Sequence, residues 1–214
     1  MIKKNTTYIL TLFALLLSIV SLNAQQEKKD VLTPASSNEA RLNRLQPPDE
    51  VMDAIGVKAG WFVAEIGAGR GRYVVQLAVR VGESGRVYAE DIDLSSLQYL
   101  EKRCERGGLK NVKTILGELT EPKLPEGELD LIFIISAYHH FADPVALLRN
   151  ARPSLKPTGI VAIGEWLPKD NGGSEYRTPV KIEEELKEAG YTLERIEKFL
   201  EKNNMYLYIF RPAE

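Results

Sequence analysis

Three glycines at alternate positions follow an apolar run of strand length. The run is Trp61 to Ile66, the glycines are Gly67, Gly69 and Gly71, and Tyr73 to Val81 then carries apolar residues at helical spacing. This pattern predicts a tight turn from a strand into a helix. Glycine is needed where the backbone turns sharply or where a ligand lies against it without an intervening Cβ. The turn is therefore a candidate binding loop, with a tight turn that holds no ligand as the alternative.

Polar side chains that could do chemistry also follow the next predicted strands. The strand Arg86 to Asp91 ends in two carboxylates, Val112 to Leu116 leads into Glu118, and Leu129 to Ile135 is followed by two histidines. In a doubly wound parallel sheet, a ligand binds outside the carboxyl ends of the central strands. We therefore expect these groups to converge on one site. The residues at such ends are Glu65, Gly67, Gly69, Gly71, Asp91, Glu118, His139, His140 and Glu165.

An acidic residue two positions before G-x-G-x-G resembles motif I of the class I S-adenosylmethionine-dependent methyltransferases. The similarity continues through Asp91, Glu118, the segment Tyr138 to Pro144 and the turn before strand five, and it covers about Pro48 to Arg211. The resemblance implies S-adenosyl-L-methionine as cofactor and methyl transfer by in-line displacement. It further implies that the glycine loop holds the methionine part, Asp91 the ribose hydroxyls, Ile92 the adenine ring and Glu118 the adenine amino group. The implied cofactor-binding residues are Glu65, Gly67, Gly69, Gly71, Asp91, Ile92 and Glu118.

The predicted catalytic residues are His139, His140 and Glu165. Methyl transfer can proceed by positioning and exclusion of water, and a general base is required only when the acceptor arrives protonated at a hydroxyl or amine. The alternative is that one histidine packs under the cofactor and the other bonds to the backbone. Adjacent side chains tend to diverge, so the histidine pair does not predict a metal site. Arg70 and Arg72 could attract an anionic acceptor, but solvent-facing arginines are the favoured interpretation.

The order of the predicted elements gives the fold class. Strands and helices alternate as far as Gly164, which predicts an α/β protein with a parallel sheet covered on both faces. The last two strands, Tyr191 to Phe199 and Met205 to Arg211, are joined by too few residues for a helical crossover and should pair antiparallel. We predict a doubly wound, seven-stranded, mostly parallel sheet with an antiparallel last strand, the Rossmann-like methyltransferase fold. The predicted helices are 72–82, 94–106, 144–155 and 179–189.

The first 24 residues differ from the rest of the chain. Lys3 and Lys4 precede an apolar run from Tyr8 to Leu22, and Ala24 stands before a polar stretch, which is the layout of a secretory signal peptide. As a helix the run would reach about 22 Å, short of the ~30 Å hydrocarbon core, so we expect cleavage and an exported or periplasmic protein. An uncleaved membrane anchor is the alternative, and transient membrane association through this segment stays open. Residues 25–40 are predicted to be a flexible linker and 41–214 the methyltransferase domain.

Composition and net charge limit the kinds of binding partner that we expect. The 214 residues are 44% hydrophobic and 27% charged, values typical of a globular domain. A formal charge of −2 gives no general attraction for nucleic acid, so none is expected as a partner. The segments before strand one and after strand five are short, which favours a small-molecule acceptor. Two alternatives are an exported cofactor-binding module without turnover and a nicotinamide-dependent oxidoreductase, although the third glycine comes one residue early for the dinucleotide motif.

Overall fold

The computed structural model of the chain describes residues 30–168 and 176–213. The predicted signal peptide, residues 1–24, lies outside these ranges. The helices of the described part are α1 (Ser37–Leu45), α2 (Pro48–Ile55), α3 (Val74–Val81), α4 (Leu94–Arg106), α5 (Pro144–Ala151) and α6 (Pro179–Glu188). Its strands are β1 (Phe62–Ile66), β2 (Arg86–Asp91), β3 (Val112–Leu116), β4 (Leu129–Ile135), β5 (Leu155–Trp166), β6 (Tyr191–Glu197) and β7 (Met205–Pro212). Over these residues, no helix is long and apolar enough to cross a membrane.

The strands form one seven-stranded sheet in the order β3-β2-β1-β4-β5-β7-β6. The pairs from β3 through β5 are parallel, and β7 runs antiparallel to both of its neighbours. This confirms the predicted fold class. The strand order reverses between β1 and β4, and such a switch point opens a crevice at the carboxyl ends of the strands.

Both faces of the sheet are covered by helices. Successive residues of a strand point to opposite faces, so Val63 and Ala64 of β1 enter different cores. One core contains α2, α3 and α4, and the other contains α5 and α6. Each fully buried Leu, Ile or Val side chain contributes about 1.5–3 kcal/mol relative to exposure, so the two cores fix the strand ends on which the site is built.

The segment before α1 is folded against the domain, and the flexible linker predicted for residues 25–40 is wrong over its described part. Val31 is 5% exposed and Glu39 is 8% exposed. Arg103 of α4 donates hydrogen bonds to both Glu39 carboxylate oxygens, at 2.7 and 3.1 Å, and to the Val31 carbonyl at 3.2 Å. The Ser36 side chain caps α1 by accepting from the Glu39 N–H. A buried ion pair holds this segment, and its sequence has no repeating apolar stripe that would predict burial. The folded unit therefore begins before the predicted residue 41.

Two element boundaries also differ from prediction. The helix predicted over 144–155 ends at Ala151, because a 3-10 turn containing Pro153 follows it. Strand β5 is longer than predicted, starting at Leu155, which pairs with Leu129 of β4. The remaining strands agree with the predicted ranges to within about two residues.

Candidate functional site

A cavity of about 250 Å³ lies at the carboxyl ends of β1 to β4. This is the crevice beside the switch point, where a doubly wound sheet places its ligand. Five of the residues predicted for the site line it together, and these are Gly67, Asp91, Ile92, Glu118 and His140. The full lining is Ile66, Gly67, Glu90, Asp91, Ile92, Glu118, Leu119, Ser136, Ala137, His140, Phe141, Ala142 and Leu147.

The glycine loop between β1 and α3 has a backbone that only glycine adopts easily. Gly67, Gly69 and Gly71 have φ angles of 76°, 53° and 80°. A Cβ on Gly67 would lie 2.7 Å from the Ala137 Cβ, and a Cβ on Gly71 would lie 2.2 Å from Leu100 Cδ1. Two of the three glycines therefore permit close packing as well as the turn, and Gly67 is the loop glycine that lines the cavity.

Asp91, at the end of β2, holds this loop. Its Oδ2 accepts a hydrogen bond from the Gly69 N–H at 2.7 Å, and its Oδ1 accepts one from the Asp93 N–H at 2.9 Å. An ionised carboxylate has about four lone-pair positions, so both oxygens keep capacity for further donors from the cavity. Asp91 therefore lines the cavity with oxygens that can accept further hydrogen bonds, and its ribose contact stays a prediction.

Ile92 and Glu118, the two residues predicted to contact adenine, line the cavity together with Leu119. Ile92 is 57% exposed and Leu119 is 62% exposed, although both are apolar. Glu118 is also exposed, and its carboxylate forms an ion pair of 2.7 Å with Lys123, which lowers the pKa of Glu118. The apolar pair offers surface for a flat ring, whereas the Glu118 carboxylate is engaged by Lys123 in this structure.

Two carboxyl groups at the site are buried. Glu90 lines the cavity and is 2% exposed, and it was missed by sequence analysis, although its position beside Asp91 was a signal. A Cβ on Gly117 would lie 1.7 Å from Glu90 Oε1, so Gly117 makes room for this side chain. Burial, and then the charge of Asp91, raise the pKa of Glu90 to about 8. The predicted residue Glu65 is 3% exposed, and its Oε2 has no hydrogen-bond partner among the described residues.

Gln46, which no sequence signal indicated, joins three parts of the site. It is fully buried just after α1. Its Nε2 donates to Ser136 Oγ at 2.7 Å, its Oε1 accepts from Arg72, and its carbonyl accepts from the Tyr73 hydroxyl at 2.8 Å. Ser136 lines the cavity and has a left-handed backbone, with a φ angle of 53°. The N-terminal segment therefore fixes both the end of the glycine loop and the turn that follows β4.

The predicted catalytic residues His139 and Glu165 form a buried pair beside the cavity. His139 Nδ1 lies 3.0 Å from both Glu165 carboxylate oxygens. Glu165 is fully buried and also accepts the backbone N–H groups of His139 and Trp166, at 3.1 and 2.7 Å. When the Nδ1–H donates to Glu165, Nε2 carries the free lone pair of the neutral ring. His140 faces the cavity, and its ring centroid lies 3.9 Å from that of His139.

Arg177 braces the segment that carries the histidines. It donates to the carbonyls of Tyr138 and Phe141 at 3.1 and 3.0 Å and forms an ion pair with Glu185. The preceding residue, Tyr176, places its ring edge-on to His139 at a centroid distance of 4.6 Å. The contacts of residues 176 and 177 with residues 138–141 join positions that are 36 to 39 apart, so local sequence patterns could not predict them.

Comparisons with known proteins agree with the geometry. Residues 63–159, which run from β1 into the first part of β5, match a family model described as a methyltransferase domain. The chain is 31% identical over 116 residues to the ubiquinone/menaquinone biosynthesis C-methyltransferase UbiE of Idiomarina loihiensis, covering 54% of this chain and 46% of that protein. It is 28% identical over 111 residues to the demethylmenaquinone methyltransferase of Geobacillus stearothermophilus, covering 52% of this chain and 47% of that protein. The chain thus spans less than half the length of these curated relatives.

A solved structure covers more of the chain. It is the crystal structure of a SAM-dependent methyltransferase from Aquifex aeolicus, with a TM-score of 0.73 and 26% sequence identity. The similarity includes 81% of this chain and 96% of that chain. It therefore extends beyond the residues that match the family model.

Proposed function

Because this chain belongs to the class I S-adenosylmethionine-dependent methyltransferases, we propose that it transfers a methyl group from S-adenosylmethionine to a small-molecule acceptor. The observation that carries this proposal is the cavity at the switch point, lined by Gly67, Asp91 and Ile92. A cofactor bound there lies against the backbone at Gly67 and beside His140, against which the His139 ring packs.

The residues of the cavity match the chemistry of this cofactor. Asp91 offers lone pairs to the ribose hydroxyls, and Ile92 and Leu119 offer apolar surface to the adenine ring. The unpaired Oε2 of Glu65 is a buried acceptor beside the glycine loop, suited to a cationic group. When bound, S-adenosylmethionine supplies an electrophilic methyl group on a sulfonium. The protein's part is to hold that methyl group in line with the acceptor and to exclude water.

We propose that the His139–Glu165 pair removes the acceptor's proton when the acceptor is a hydroxyl or an amine. Nε2 of His139 takes the proton, and the Glu165 carboxylate stabilises the resulting imidazolium through Nδ1. The buried position of Glu165 keeps the ring in one orientation. An acceptor that is already a carbanion or thiolate needs no such base, and positioning alone then suffices.

The names of the relatives suggest the chemical class of the acceptor. The two curated relatives are named for quinone methylation, and another relative is an N-methyltransferase named for the alkaloid coclaurine. These names support a small ring compound as the first class to test. Nucleic acid is a poor candidate because the net charge of the chain is −2.

A binding and transfer experiment tests the proposal. Full-length protein is titrated with S-adenosylhomocysteine and with NAD. Labelled S-adenosylmethionine is then supplied with demethylmenaquinone that has been reduced to its hydroquinone, whose ring carbon is the nucleophile, or with a metabolite extract. We expect binding of S-adenosylhomocysteine and label in an acceptor. Binding of NAD instead would contradict the cofactor assignment, and cofactor binding without any labelled product would favour a binding module that has lost turnover.

We also propose that the protein is exported and that residues 1–24 are removed. The support is Lys3 and Lys4 followed by the apolar run Tyr8 to Leu22. Mass spectrometry of the mature N terminus tests it, with a start at Gln25 as the expected result. An intact Met1 in a membrane fraction would favour an anchored form.

A further inference from the structure

The turn that carries both histidines, residues 138–141, is short. It is built on a 3-10 helix of three residues, Tyr138–His140. A 3-10 helix has poorer hydrogen-bond geometry than an α-helix, and forming a single helical turn is unfavourable by itself. The position of the His139 ring therefore depends on the contacts that other elements make with this turn, which we call the histidine turn.

The N-terminal segment holds the chain just before the histidine turn. Ser136 accepts a hydrogen bond from Gln46 Nε2 at 2.7 Å, and Gln46 is held in turn by Arg72. Arg72 is half-buried and burial lowers its pKa, so the interpretation of Arg72 as a solvent-facing arginine is wrong. Arg70, in contrast, is exposed as expected. These contacts fix the chain three positions before His139.

Arg177 holds the histidine turn itself. Its Nη1 donates to the Tyr138 carbonyl at 3.1 Å, and its Nη2 donates to the Phe141 carbonyl at 3.0 Å. Its Nε donates to the Glu185 carboxylate at 3.1 Å, so each guanidinium nitrogen has a partner of its own. The last carbonyl groups of a helix lack partners within the helix. Arg177 therefore supplies donors at both ends of the turn.

Glu185 of α6 compensates the charge of this guanidinium. Its carboxylate forms the ion pair with Arg177 and also accepts a hydrogen bond from the Tyr138 hydroxyl at 2.9 Å. The side chains of Arg177 and Glu185 are only 19% and 10% exposed. A lysine would place a point charge here, whereas the planar fork of a guanidinium can serve a carboxylate and two carbonyl groups at once. The residue type thus suits the holding of a turn as well as the pairing of a charge.

The His139–Glu165 pair depends on where the turn lies. The His139 backbone N–H donates to Glu165 Oε2 at 3.1 Å, and the ring Nδ1 lies 3.0 Å from the same oxygen. Glu165 belongs to β5 and is fully buried, so the sheet fixes it and it cannot follow a displaced turn. A hydrogen bond weakens steeply when its distance and angle are lost. Movement of the turn would therefore separate the ring from its carboxylate.

We propose that Arg177 is a positioning residue for methyl transfer, because it holds the histidine turn where His139 keeps Nδ1 on Glu165 and presents Nε2 to the acceptor. This inference rests on the proposed function, in which Nε2 takes the proton of a hydroxyl or an amine. Arg177 acts through the backbone of the turn, since its hydrogen bonds there go to two carbonyl groups.

The test variant carries two substitutions. Arg177→Met alone would leave the Glu185 carboxylate buried without its cation, which is destabilising, so it is combined with Glu185→Gln. Glu185→Gln alone is the matched control, because it keeps both carbonyl contacts of Arg177 and retains an oxygen for the Tyr138 hydroxyl. The double variant and its control therefore differ only at position 177.

Nuclear magnetic resonance of the full-length chain labelled with ¹⁵N observes the His139 ring directly. The chain has two histidines, and His139→Gln assigns their signals. Above the ordinary histidine pKa of about 6.5, the ¹⁵N shifts of a neutral ring show which nitrogen carries the proton. We expect a single tautomer with the proton on Nδ1 in wild type and in Glu185→Gln, and a mixture of both tautomers in the double variant. An unchanged Nδ1–H tautomer in the double variant would overturn the proposal.

Single-turnover rates with a hydroxyl or amine acceptor give a second readout. The double variant should be at least about tenfold slower than Glu185→Gln, which is part of the 10²- to 10⁴-fold that a positioned base contributes. When each is combined with His139→Gln, the two rates should agree within about twofold, because no base is left to position. An equal loss in both backgrounds contradicts the proposal, since Arg177 would then act by another route. If no acceptor is labelled, the proposed function fails, and the resonance experiment still decides whether Arg177 positions the ring.

Discussion

At the scale of single residues, Asp91 has a structural task besides its proposed ligand contact. Its two oxygens accept hydrogen bonds from the N–H groups of Gly69 and Asp93, so one carboxylate ties the end of β2 to the glycine loop. Sequence analysis predicted the ligand contact but not the tie to Gly69, because hydrogen bonds between two loops leave no periodic signal.

Replacement of this carboxylate should weaken cofactor binding. We expect Asp91→Ala to raise the dissociation constant for S-adenosylhomocysteine by at least about tenfold, since charge-assisted hydrogen bonds to the ribose are lost. Asp93→Ala is the control, because Asp93 caps α4 and its loss should lower the melting temperature by a few degrees while leaving affinity unchanged. Equal affinities for Asp91→Ala and wild type would remove Asp91 from the site.

The His139–Glu165 pair predicts a kinetic effect without a binding effect. For a hydroxyl or amine acceptor, His139→Gln should lower kcat by about 10²- to 10⁴-fold, which is the usual contribution of a positioned base. The affinity for S-adenosylhomocysteine should not change, because His139 does not line the cofactor cavity. Single-turnover assays with labelled cofactor measure the rate. An unchanged kcat would assign His139 to packing alone.

At the scale of elements, buried strands were the most predictable part of the chain. Strand β4 has six buried residues among seven. An apolar run of this kind predicts a buried strand without any knowledge of the segments that pack against it. The glycines were predictable for a similar reason, since their positive φ angles follow from local geometry. Arg72, Glu90 and Gln46 were misread or missed because their environment comes from segments distant in sequence.

The ion pair between α1 and α4 predicts a large loss of stability. Removing one partner of a buried pair leaves the other charge uncompensated, so Glu39→Gln should lower the free energy of unfolding by about 3–5 kcal/mol. Urea denaturation measures this. The control is the double variant Glu39→Met with Arg103→Leu, which should recover most of the loss because both charges are gone. A loss below about 1 kcal/mol would show that the pair behaves like a surface contact.

For the molecule as a whole, buried carboxyl groups predict that stability falls with rising pH. Burial raises the pKa values of Glu65 and Glu90 to about 8, from the ordinary value of 4.5 for a glutamate side chain. Between these values the folded chain binds more protons than the unfolded chain, so each group lowers the free energy of unfolding by at most about 1.4 kcal/mol per pH unit. Above about pH 8 both groups are ionised in the folded chain, and the free energy of unfolding stops falling on their account.

Glu90→Gln provides the check on this pH dependence, because it keeps the shape of the side chain and cannot ionise. The free energy of unfolding is measured by denaturation at several pH values between 5 and 8. It should fall less steeply with pH for Glu90→Gln than for wild type. Tyr88→Phe is a suitable comparison, since it alters a neighbouring β2 residue whose phenol does not titrate in that range. Identical slopes for all three proteins would mean that Glu90 is ionised throughout.

The long reach of the Glu39–Arg103 contact sets an order of events during synthesis. The partners are 64 positions apart, so Glu39 leaves the ribosome well before Arg103 exists to receive it. Until α4 has been translated, the Glu39 carboxylate therefore lacks its ion-pair partner. The N-terminal segment can therefore be fixed against the domain only after α4 has been synthesised.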